Sequence, residues 1–127
     1  MDVRYRNFYA KHLLSIRDLS EQRNPGAALI IRGGVQVGSA YSTSTGTEYN
    51  TLPIIEAIIR SYSYWSIVIA PAVLFCSYFP SLEELLAIYS TDIRTIYYMG
   101  DITDERSVRF LNTCTETSFE IIKLEFE

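Results

Sequence analysis

From residue 72 onward, short apolar runs and helix-period segments take turns, and this alternation constrains the fold more than any other feature. AVLFCSY (72–78), TIYYM (95–99) and SFEIIKLEF (118–126) read as strands. In the last of these, Ile122, Leu124 and Phe126 alternate with Lys123 and Glu125. SLEELLAIYS and the segment 104–112 lie between them with helical spacing, Val108 and Leu111 facing inward. Strands that alternate with helices imply parallel crossovers on one sheet. The near-continuous apolar run at 72–78 is the expected central strand, buried on both faces.

The first half has a different texture. Residues 3–19 carry Phe8, Leu13, Ile16 and Leu19 at helical spacing, and Asn24-Pro25-Gly26 closes the segment as a turn. Strand-like runs at 27–31 and 35–41 flank Gly33-Gly34, the signature of an antiparallel hairpin. After the polar stretch STSTGTEYN, a second helix starts near Thr51 and runs to Tyr64, with Pro53 tolerated in its first turn. Ile54, Ile55, Ile58 and Ile59 give it an apolar stripe wider than one sheet contact needs. Ser81, followed three residues later by Glu84, is a capping box that opens the third helix. The predicted order is α-β-β-α-β-α-β-α-β, an α/β chain built on a five-stranded mixed sheet and forming one domain over residues 1–127.

Composition narrows the function classes. With 48% hydrophobic and 20% charged residues in 127, the chain can bury a core. A net charge of −4 gives no basic surface for nucleic acid. The most apolar run, IVIAPAVLF, is too short for a membrane span and contains Pro71. The N-terminal segment lacks an apolar signal region. Cys76 and Cys114 form no disulfide framework, so a cytoplasmic protein with free thiols is expected.

Several local phrases bear a resemblance. Val37-Gly38-Ser39-Ala40-Tyr41-Ser42, Ile55-Glu56-Ala57-Ile58, Phe79-Pro80 and the stretch Tyr89 to Asp101 stand in the order and spacing of conserved segments of the cytidine and deoxycytidylate deaminases. The chain resembles that family over most of its length. The resemblance implies the cytidine deaminase-like three-layer α-β-α sandwich. Enzymes of this kind hold zinc with one His or Cys and two Cys, and move protons with a Glu that is not a ligand. Carried over position by position, the His falls on Leu52, the Glu on Ile54, and the two cysteines on Ser81 and Glu84. The family's substrate-contacting Asn falls on Ser42. The resemblance therefore implies a degenerate member with no metal and no cofactor.

The residues themselves point the same way. The chain has one histidine, His12, and no Cys-x-x-Cys or His-x-Glu pair, whereas zinc wants several nitrogen or sulfur ligands. A lone histidine is usually structural, and no nucleophile elbow or phosphate-binding glycine pattern is present. Glu83-Glu84 suits a helix first turn better than a metal site. Asp101, Asp104 and Glu105 follow a strand end, where helix capping is the plainer reading.

Tyrosine is over-represented, with 10 residues. Alternation sends Tyr97 and Tyr98 to opposite faces, while Tyr62, Tyr64 and Trp65 cluster at the end of the over-apolar second helix as a candidate contact surface. The expectation is a non-enzymatic deaminase-fold protein that works by self-association or by binding a partner protein. Because such pseudoenzymes occur in viral genomes, a phage origin is expected. The alternative is a nucleotide-binding regulator that keeps a remnant pyrimidine pocket at Tyr41 and Ser42.

Overall fold

The computed structural model describes residues 3–21, 25–42, 52–64 (backbone only at 62–64), 72–102, 104–113 and 120–125. The elements are α1 (Val3–Arg17), β1 (Ala27–Arg32), β2 (Val35–Tyr41), α2 (Pro53–Tyr64), β3 (Ala72–Cys76), α3 (Leu82–Tyr89), β4 (Thr95–Tyr98), α4 (Glu105–Thr113) and β5 (Glu120–Lys123). Their order is the one expected. The five strands form one sheet in the order β2-β1-β3-β4-β5. β1 pairs antiparallel with β2 and β3, and β3, β4 and β5 run parallel. The hairpin turn has positive φ at both Gly33 and Gly34, as the primed turns that match strand twist require.

Helices cover both faces. On one side α1 lays Tyr9, Ala10, Leu13 and Ile16 over Leu29, Ile31, Phe75 and Tyr97. Phe75 stacks on Tyr97 with ring centroids 4.9 Å apart. On the other side, residues of α2 and α3 (Ile54, Ala57, Ile58, Leu85 and Ile88) close over Ala28, Ile30, Leu74 and Ile96, with Phe110 and Leu111 of α4 packed against the same cluster. Tyr97 belongs to the first cluster and Tyr98 borders the second, as strand alternation demands. α3 and α4 each link a pair of parallel neighbours, β3–β4 and β4–β5, and both pack on one face of the sheet. No helix among the described residues is long and apolar enough to cross a membrane.

Details depart from the sequence reading for physical reasons. β3 stops at Cys76 rather than at residue 78: Ser77 N–H still donates to the Ala27 carbonyl at 3.0 Å, but Ala27 N–H goes to the Ser77 side chain at 2.9 Å instead of to a strand carbonyl. In α4 the fully buried residue is Ser107, not Val108, and its hydroxyl donates to the Pro80 carbonyl at 2.9 Å. β2 carries a bulge at Val37, which opposes the step between Ile30 and Ile31 and leaves Val37 and Gly38 both buried. Phe126 and Cys114 lie outside the described residues.

Candidate functional site

The C-terminal end of β3, the first turn of α2 and the first turn of α3 meet at one place. Three of the four positions singled out by the resemblance come together there. Ile54 is fully buried on the first turn of α2. Ser81 is the N-cap of α3, and Glu84 sits at N3 with 2% exposure. The capping box forms as expected: Glu84 N–H donates to Ser81 Oγ at 3.3 Å, and Ser81 N–H donates to Glu84 Oε1 at 3.2 Å. The fourth position does not join them. Leu52, which precedes the first turn of α2, is 46% exposed rather than buried over the site.

A capping box alone would not account for the burial of a carboxylate, which must find further donors. The missing donor is Tyr78, which the sequence reading treated only as the last residue of a strand. Its hydroxyl donates to Glu84 Oε2 and accepts Ile54 N–H at 3.3 Å. Ser81 Oγ adds a further donor to Glu84 Oε1 at 3.0 Å. The two oxygens of Glu84 therefore accept from three groups, and Tyr78 ties β3, α2 and α3 together. A buried Glu three residues after its cap was the available signal that a partner had to exist elsewhere.

This environment sets the chemistry of its neighbours. Burial, then the charge of Glu84 and the hydrogen bond to it, push the Tyr78 phenol far above its ordinary value of 10.0. Burial, then the Glu84 charge, push the Cys76 thiol above its ordinary 9.0. Cys76 is fully buried and donates weakly to the Tyr97 carbonyl at 3.6 Å. Both groups therefore stay protonated at neutral pH. A buried thiol held in that state is a poor nucleophile.

The remaining candidates are scattered. Tyr41 packs against the α1 side of the sheet, across from Ile54 and Glu84. Ser42 is buried near the site, but its hydroxyl is engaged, accepting Gly26 N–H at 2.8 Å and donating to Gly26 O at 3.3 Å. Among the described residues, Tyr41 thus borders the α1-side cluster and Ser42 is bonded to Gly26. His12 lies on α1 and contacts Gln36 at 2.8 Å. Asp104 accepts Leu82 N–H at 3.3 Å, capping α3 from outside, and pairs with Arg106 at 3.1 Å. Asp101 pairs with Lys123 at 3.5 Å. Glu105 begins α4 in solvent. Trp65 and the side chains of Tyr62 and Tyr64 lie outside the described residues.

Solved structures share this fold. The dCMP deaminase of cyanophage S-TIM5 in its apo form superposes with a TM-score of 0.75 at 16% identity, covering 98% of this chain and 100% of the other. The same enzyme in complex with dCMP and dUMP gives 0.72 at 16% identity, covering 98% and 99%. A structure from a study of tRNA:A34 deaminases gives 0.66 at 15% identity, covering 91% and 99%. The chain has the cytidine deaminase-like fold. Neither a protein-family model nor a curated protein sequence matches it.

In that fold the natural question is zinc, and the side chains at the four positions do not suit it. They supply an exposed leucine, a buried isoleucine, a neutral hydroxyl and one carboxylate already held by three donors. Zinc sites draw on several thiolate, imidazole or carboxylate ligands in tetrahedral array. His12, on α1, contacts Gln36, and Cys76 is fully buried with its Sγ on the Tyr97 carbonyl. Among the described residues, no group of three or more His, Cys, Asp and Glu side chains is placed to hold a metal ion.

Proposed function

We propose that this chain is a deaminase-fold protein without deaminase chemistry, a degenerate relative that acts through protein–protein contact. The observation that carries the reading is the Tyr78–Glu84–Ser81 network, which puts satisfied, neutral or fully engaged groups where such an enzyme needs a metal and a proton shuttle. Ile54, fully buried, offers no group to move a proton. A phage origin and a cytoplasmic setting go with this reading, supported by the cyanophage neighbour.

The contact surface is assigned to the outer face and C-terminal end of α2, where Ile59 is 61% exposed and where Tyr62, Tyr64 and Trp65 follow in sequence. Self-association through this helix is the first form to test. The alternative, a nucleotide-binding regulator, draws less support because the Ser42 hydroxyl is already engaged by Gly26. Sedimentation velocity at micromolar concentration, run on wild type and on Ile59→Glu and Trp65→Ala, tests the assignment. The expected result is an oligomer that both substitutions weaken without lowering the unfolding midpoint. A wild type that is monomeric throughout removes self-association and leaves a different protein as the partner. Thermal unfolding with dCMP tests the alternative, since a ligand at about a hundred times its Kd adds about 2.7 kcal/mol.

A further inference from the structure

The place of Tyr78 goes beyond the loss of a metal site. We propose that the Tyr78 side chain is an internal ligand: its ring fills a slot between the start of β1 and the first turns of α2 and α3, and its hydroxyl makes the hydrogen bonds that a small phenol-like molecule would make there. Three observations converge on this. The ring lies so close to Gly26 that a Cβ at that position would stand 2.8 Å from Tyr78 Cε1 and 2.9 Å from Cδ1. Only a residue without a side chain leaves room for the ring, so Gly26 forms one wall of the slot. Ser42 Oγ, 3.4 Å from the same Cβ position, lies beside that wall.

At the far end of the slot are one donor and one acceptor, Ile54 N–H and Glu84 Oε2, and the Tyr78 hydroxyl satisfies both. Neither group would keep that partner if the side chain left. A planar ring that presents a hydroxyl is therefore the chemical class the slot recognises, and the chain supplies its own. Ile54 and Glu84, which the sequence reading placed at a metal site, bond the Tyr78 hydroxyl, and Ser42, placed at a nucleotide pocket, lies beside Gly26. The inference deepens the non-catalytic reading and rests on it for what the cleft once was. A ring-shaped ligand can enter only if Tyr78 leaves.

The test is a cavity experiment. Tyr78→Gly should unfold at a lower temperature than wild type, and millimolar 4-methylphenol should raise its midpoint by several degrees. Toluene, which lacks the hydroxyl, should restore less, and wild type should not respond. A folded Tyr78→Gly protein that ignores 4-methylphenol, or a wild type that responds equally, overturns the proposal. Should that variant fail to fold, the wild type still decides by proton NMR. A Tyr78 hydroxyl proton sheltered from water, with a cross-peak to the Ile54 amide, is expected and should vanish in Gly26→Ala, whose new methyl displaces the ring. A hydroxyl proton in fast exchange with solvent overturns it. Turnover of dCMP by wild type would sink the non-catalytic reading, whereas failure of phenol rescue sinks the internal ligand alone.

Discussion

Tyr78 is the residue on which the local account turns. Its replacement by phenylalanine keeps the ring and removes one hydroxyl, leaving Glu84 Oε2 buried without its donor and Ile54 N–H without its acceptor. An unsatisfied buried polar group costs about 1–3 kcal/mol. Urea unfolding of Tyr78→Phe should therefore show a loss of about that size, with an unchanged m-value. The pH dependence has a definite sign. Tyr78 and Cys76 have folded-state values raised above 10.0 and 9.0. Their contributions are intact below those values and are lost as pH rises, because only the unfolded chain releases the protons. Stability measured from pH 8 to 11 should fall, and the fall should be shallower in Tyr78→Phe than in wild type. A parallel pair of curves would place Tyr78 in a less buried setting than described.

At the scale of elements, what was legible in the sequence was local. The Ser81–Glu84 capping box, the Gly33-Gly34 turn and the order of strands and helices depend on neighbours in the chain, and all of them formed. Tyr78 was not legible, because its partners Ile54 and Glu84 come from two other elements and no spacing rule connects them. Ser107 was missed for a related reason: apolar periodicity drew attention to Val108, while a small hydroxyl that reaches Pro80 O fits the tight contact. Leu52 was expected over the site, but the helix begins one residue later and leaves it outside.

Two element-level predictions follow from the same packing. Ser81→Ala removes the α3 cap and one donor to Glu84, so a loss of about 1–2 kcal/mol is expected in equilibrium unfolding. Gly38 lies where α2 crosses β2, and a Cβ there would meet Ala57 O at 2.4 Å. Gly38→Ala must push the helix off the strand, and a cost of about 1–3 kcal/mol is the usual size of such overpacking. A Gly38→Ala protein as stable as wild type would show that α2 sits farther from the sheet.

At the scale of the whole molecule, the fold is shown by superposition, and the proposal concerns the site. The sheet order, the helices on both faces and the superposition on the cyanophage dCMP deaminase preserve the architecture. The place where helix first turns meet the end of β3 holds a tyrosine, a carboxylate and a serine bonded to one another. Fold does not determine function, and chemistry resides in the site.

The measurement that tests this account most directly is dCMP turnover. Purified protein, supplied with zinc and dCMP, is followed for dUMP release beside a Glu84→Ala control. The account predicts no release above that control at any zinc concentration. Zinc-dependent release by wild type that Glu84→Ala abolishes would contradict it and make Glu84 part of a working metal site.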